Sequence, residues 1–247
     1  FVQGWKNNLR IATNLVDAAD KEEVRKVLST LLDLNLVPMD TYLAVTMWPL
    51  NPVIHPQRLY SLFKDYKPGV VYPENPLFYE SMSDFGAEYI QKATDEARAL
   101  CVAMEKRCGI ELLKDVPDIG EFVISVYGDV IEDRSCLRTI FSTCDGYKGF
   151  GTPMLQVEGG WIPDFNSRYF TEDIPHGLCV YRGIADLLDM ELPVIDEVLA
   201  WAQGLMGKEY IKDGRLAGKD VGETYAPQVF GAKTIEDVPN IARPTAG

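Results

Sequence analysis

Long apolar runs are missing from this sequence. No stretch approaches the roughly 18 residues that a membrane helix needs, so the chain is expected not to span a bilayer. Positive charge is scarce as well: Lys and Arg number 24 against 37 Asp and Glu, a net charge of −13, and such a surface repels phosphate backbones and anionic lipid headgroups. Nucleic acid and membrane surfaces are poor partners on that ground. Histidine occurs only at His55 and His176, with no cysteine pair beside either, which argues against a zinc site built on imidazoles. The five cysteines (Cys101, Cys108, Cys136, Cys144 and Cys179) are odd in number and form no C-x-x-C pair, so no disulfide framework is expected. We read reduced thiols and a cytoplasmic setting, which the absence of N-x-S/T sequons also fits.

Several chemical motifs are lacking too. A phosphate-cradling loop needs G-x-x-x-x-G-K followed by Ser or Thr, and Gly204-Leu205-Met206-Gly207-Lys208-Glu209 has the wrong spacing and ends in Glu. Gly149-Phe150-Gly151 has no third glycine, and Pro153 follows where a dinucleotide helix should begin. The nucleophile elbow G-x-S-x-G is absent. Phosphate binding within this chain, and serine hydrolase chemistry, are therefore not expected.

What is there reads as a folded chain of 247 residues, one or two domains long, with 47% hydrophobic residues. Arg10 to Val16 suggests a short strand, and Asp20-Lys21-Glu22-Glu23 has the form of an N-cap with a capping box. Val24, Val27, Leu28, Leu31 and Leu32 follow at helical spacing, and Asn35 to Pro38 closes the segment. One strand and one helix cannot bury both their faces, so residues 1–40 are expected to end a larger α/β unit. Beyond Thr41 the pattern is mainly α. Ser83 to Cys108 carries an apolar stripe and stops at Gly109, shorter helices are expected over 133–144 and 183–190, and Pro193 opens another. Residues 146–174, rich in Gly, Pro and aromatics, read as an ordered loop.

Two stretches could carry chemistry. Asn51-Pro52-Val53-Ile54-His55-Pro56 holds a histidine between prolines that fix its backbone, and Arg168-Tyr169-Phe170-Thr171-Glu172-Asp173-Ile174-Pro175-His176-Gly177-Leu178 is a charged aromatic turn running into an apolar segment. At these residues the chain resembles the opine dehydrogenase family, most closely the octopine and tauropine dehydrogenase type. Tyr127-Gly128, residues 163–168, Arg182 to Ala185 and Pro193 to Gln203 share in the resemblance, which spans most of residues 41–233.

The resemblance implies a fold: a helical substrate-binding domain like the C-terminal domain of 6-phosphogluconate dehydrogenase over 41–247, preceded in 1–40 by the last strand and helix of a Rossmann domain. It also implies that NAD or NADH is bound mainly by a glycine-rich half outside this sequence. A start at Phe1 instead of Met fits a piece of a longer chain. The implied reaction joins an amino acid to a 2-oxo acid, usually pyruvate, and reduces the imine with NADH. His55 would move protons, as a side chain with an unperturbed pKa near neutrality can, with Asp173 on its far nitrogen and Arg168 receiving the oxo-acid carboxylate. Asn51, Trp48 and Tyr127 would line the substrate pocket. The bulky run Met47-Trp48-Pro49-Leu50 departs from relatives that carry a polar residue there, which leaves the amine open.

Each role has a plainer competitor. Arg168 could pair with Glu172 along a helix, Asp173 could cap the helix near Pro175, and Asn51 could serve only as a turn residue. His176 is expected to be surface or structural. Two other functions remain at this stage: a hydroxy-acid or polyol dehydrogenase of the same two-domain class, and a non-catalytic helical relative without its nucleotide half.

Overall fold

The computed structural model describes residues 8–13, 17–48 and 50–240. Its first unit is β1 (Asn8–Ile11), α1 (Ala18–Leu32) and β2 (Asn35–Pro38), with the strands parallel and Leu9 opposite Leu36. Two expectations change here. The strand ends at Ile11, residues 14–16 of the expected strand lying outside the described residues, and Asn35 to Pro38 is a second strand instead of a helix stop. The N-cap is Asp17, not Asp20: its carboxylate accepts from the Ala19 and Asp20 amides at 2.7 and 3.3 Å. No residue of α1 is buried, and Val27, Leu31 and Leu32 stay more than half exposed.

The rest is helical. After α2 (Tyr42–Met47) come α3 (Asn51–Phe63), α4 (Asp84–Cys108), α5 (Ile119–Tyr127) and α6 (Leu137–Ser142). A hairpin, β3 (Met154–Val157) with β4 (Gly160–Pro163), replaces the expected loop, and Trp161 exchanges two 2.8 Å backbone bonds with Tyr72. Then follow α7 (Arg168–Thr171), a π-helical turn (Ile174–Leu178), α8 (Cys179–Leu188) and α9 (Pro193–Met206). Helix α8 starts four residues before the expected Gly183 because the π turn feeds directly into it.

Helix α4 is the spine, packed on α3, α6, α8 and α9. Ser83 caps it through the Gly86 amide, Gly109 ends it in the left-handed region, and Ala93, Ala97, Leu100, Cys101 and Met104 are buried along the expected stripe. All five cysteines are free thiols. Glu96 on α4 accepts from the Val194 and Ile195 amides at 2.8 and 3.0 Å, filling the N-terminus of α9. The guanidinium of Arg182, 1% exposed, is held by Asp196 at 3.0 Å, Asp186 at 2.9 Å and the Met190 carbonyl at 2.8 Å.

The two motifs meet at a notch. A Cβ on Gly177 would stand 2.5 Å from Cγ and 2.7 Å from Cβ of Pro52, so the π turn and α3 approach this closely only because position 177 has no side chain. Gly177→Val is expected to cost about 1–3 kcal/mol through overpacking, seen as a lower urea midpoint with the helical signal retained. An unchanged midpoint would mean that the two segments are free to separate. Arg182→Met is expected to cost about 3 kcal/mol or more in the same assay, because it leaves Asp196 partly buried without its cation and Asp186 with only Arg215, at 3.3 Å.

Candidate active site

His55 lies inside α3, between Pro52 in its first turn and Pro56 in its interior. Pro52 occupies the first turn, where its missing N–H costs nothing, but Pro56 removes the bond that the Pro52 carbonyl would receive. Gln57, fully buried, makes up the loss. With its amide nitrogen turned inward it donates to the Pro52 and Val53 carbonyls at 3.0 Å each, the orientation that satisfies both groups. The helix thus stays intact through the motif, and His55 is carried into the interior at 5% exposure.

Across the notch, the π turn presents Asp173. Its Oδ2 lies 2.8 Å from Nδ1 of His55, between elements 118 residues apart in sequence, and its side chain makes no cap bond to the turn it precedes. Asp173 is therefore not a helix cap. A carboxylate at Nδ1 accepts the proton there, leaving Nε2 as the nitrogen with a free lone pair. Nε2 faces the hydroxyl of Tyr79 at 3.4 Å. The ring of Tyr169 stacks on the imidazole, centroids 3.9 Å apart and planes 18° from parallel, and Phe78 meets its edge at 5.7 Å.

Sequence reasoning missed Tyr79, Tyr169 and the residue that positions the first of them. Arg58, one helical turn beyond His55 and 1% exposed, donates from Nε to the Phe78 carbonyl at 2.7 Å and from Nη2 to the Ser81 carbonyl and hydroxyl at 3.0 and 2.7 Å. Burial without a carboxylate lowers its pKa to about 10, which still leaves it charged near neutrality. A signal for it existed: an arginine three residues after His55 falls on the same buried helix face.

The other expected site residues are dispersed. Arg168, at the start of α7, is exposed, and among the described residues its side chain has no hydrogen bond or ion pair, so the suggested pairing with Glu172 is not made. Asn51 opens α3 and lines a cleft of about 160 Å³ with Thr46, Glu172, Asp173 and His176. Tyr127 ends α5, where its ring packs on Tyr147 at 4.9 Å, and Tyr147 in turn stacks on Tyr79 at 4.2 Å. Trp48 is engaged elsewhere: the guanidinium of Arg10 lies 3.4 Å above its ring and Phe122 meets its edge at 5.2 Å. The indole thus ties β1 to the helical part instead of facing His55, and its neighbour Pro49 lies outside the described residues. His176, exposed, rests on Tyr225 at 4.0 Å. A wider hollow of about 580 Å³ near Glu105 and Lys114 shares no residue with either motif.

These residues do not fit a dinucleotide pyrophosphate. The N-terminus of α1 is filled by the Asp17 carboxylate, which takes the amides that a phosphate would use and repels it. Among the described residues no group of His, Cys, Asp and Glu is arranged to hold a metal ion, and no helix is long and apolar enough to cross a membrane.

The chain is 38% identical over 198 residues to tauropine dehydrogenase of Arabella iricolor, which covers 79% of this chain and 49% of the relative. To octopine dehydrogenase of Pecten maximus it is 36% identical over 185 residues, 75% of this chain and 46% of that one. The chain thus spans about half the length of these relatives. A solved octopine dehydrogenase with NADH and L-arginine superposes with a TM-score of 0.86 at 31% identity, over 96% of this chain and 59% of the other. The corresponding complex with NADH and pyruvate gives 0.81 at 30% identity, over 96% and 57%. The family pattern described as the NAD/NADP octopine/nopaline dehydrogenase alpha-helical domain matches residues 38–206, and the chain belongs to that family.

Proposed function

We propose that this chain supplies the substrate domain of an NADH-dependent opine dehydrogenase, which condenses an amino acid with a 2-oxo acid such as pyruvate. In this reading residues 1–40 end the nucleotide-binding domain and 41–247 form the substrate domain. The observation that carries it is the 2.8 Å contact between His55 and Asp173, made by two motifs that are distant in sequence.

The chemistry follows from the donors at hand. Asp173 holds the proton on Nδ1, so Nε2 of His55 can take a proton from the ammonium group of the amino acid and free its lone pair for attack on the carbonyl carbon. The same nitrogen then returns the proton to the carbinolamine hydroxyl, which leaves as water. Arg168, exposed and unpaired, supplies a planar pair of donors for the oxo-acid carboxylate. Tyr169 covers one face of the imidazole and excludes water from it. NADH, when bound, contributes a hydride, and the described residues of this chain offer its phosphates no cradle.

The deciding experiment follows NADH oxidation by the protein with its nucleotide-binding domain, given pyruvate and a panel of amino acids. His55→Ala is expected to lower turnover by about 10² to 10⁴-fold with NADH affinity unchanged. Asp173→Asn should lower it too, and the double variant should be little worse than His55→Ala alone, because residues that act as one unit are non-additive. Multiplicative losses would separate the two residues. Arg168→Ala should raise KM for pyruvate roughly tenfold to a hundredfold and leave that for NADH in place, the loss of one charge-assisted pair. A fall in stability with KM unchanged would return Arg168 to a structural role. The 247-residue chain alone should show no saturable NADH binding in the micromolar range by nicotinamide fluorescence.

A further inference from the structure

Asp173 accounts for one side of His55, and the opposite nitrogen also has a fixed neighbour. The hydroxyl of Tyr79 stands 3.4 Å from Nε2, and His55 is its one hydrogen-bond partner among the described residues. Tyr79 is 7% exposed, and burial pushes its phenol well above the usual value of 10, so near neutral pH it holds its proton and acts as a donor. With Nδ1–H donating to Asp173 in the neutral imidazole, this bond runs from the Tyr79 O–H to the Nε2 lone pair.

Tyr79 is not free to choose another position. Arg58 clamps the carbonyls on either side of it, Phe78 at 2.7 Å and Ser81 at 3.0 Å, and Arg58 shares helix α3 with His55. The ring is wedged between Tyr147, stacked at 4.2 Å, and Phe78, edge-on at 4.9 Å. The His55 imidazole therefore has a stacked face, a carboxylate at one nitrogen and a hydroxyl at the other. The first two orient the ring plane and the tautomer, while the third fixes where the reactive lone pair points.

We propose that Tyr79 is a positioning residue for His55, the third member of a Tyr79–His55–Asp173 chain, whose hydroxyl holds the Nε2 lone pair in line until a substrate proton replaces it. The catalytic part of this proposal rests on the opine dehydrogenase reading; the contact itself does not. Tyr79→Phe removes only the hydroxyl and keeps the ring between Tyr147 and Phe78.

Two measurements test it. The chain has only two histidines, so ¹⁵N-histidine labelling gives a simple spectrum, assigned with His176→Gln. At pH 8 the Nε2 resonance of His55 in Tyr79→Phe should move downfield by several ppm, as an imine-type nitrogen does on losing a donor, while the Nδ1–H and His176 signals stay. Tyr147→Phe, which alters the stack but not the bond, should leave Nε2 unmoved. In the protein with its nucleotide-binding domain, Tyr79→Phe should lower kcat by about tenfold, the scale of one hydrogen bond, with KM for NADH and pyruvate unchanged. An unmoved Nε2 resonance overturns the proposal whatever the rates are, and so does a moved resonance with unchanged kcat. If the unaltered protein condenses no amino acid with pyruvate, the opine reading falls on that result alone, and the Nε2 resonance still decides whether the contact exists.

Discussion

A guanidinium buried without a counter-ion governs the centre of this molecule. Stripping an arginine of water costs several kcal/mol, and no carboxylate stands by Arg58 to offset it, so the chain must bring oxygen atoms to it. It does so by folding residues 77–81 around the side chain, which fixes Phe78 and Tyr79 against the imidazole one helical turn away. The aromatic wall of the site is thus a consequence of satisfying a charge. The same logic operates in Gln57, a polar side chain drawn into the core to replace a hydrogen bond that Pro56 forbids.

Electrostatics at the site differ from those of the whole chain. A net charge of −13 disfavours anions at long range, yet ionic strength near physiological screens exposed charges beyond about 8 Å. Within that distance an exposed, unpaired guanidinium such as Arg168 outweighs the remote acidic surface. Glu172 and Asp173 lie a few residues further on, so cationic and anionic groups adjoin across one turn of chain.

Much of this was legible in the sequence where a local rule decides structure. Helices α4 and α9 begin and end at Ser83, Gly109, Pro193 and Gly207, each doing what its backbone chemistry favours. The two motifs also marked the segments that meet at His55 and Asp173. Illegible were the features set by partners far along the chain. Strand β2 is four residues long and exists because β1 lies beside it, and the hairpin strand β4 takes a further bridge from Tyr72, about ninety positions earlier. Nothing local to Trp48 foretells that Arg10 covers its ring. Asp17 displaced Asp20 as the cap because helix α1 begins one turn sooner than the capping-box form of Asp20 to Glu23 suggested.

The sequence separation of 118 between His55 and Asp173 also bears on how the protein is made. His55, Arg58 and Tyr79 lie close together in the chain and can come together locally, whereas Asp173 and Gly177 emerge much later. At synthesis rates of about 5 to 20 residues per second, α3 waits roughly 6 to 24 seconds for the turn that covers Pro52. During that interval a helix whose residues Pro52 to Tyr60 all end up buried has no partner on that side. A nascent chain paused between these two motifs therefore exposes an apolar helix face, and the contact between His55 and Asp173 forms only after a further 118 residues have been added.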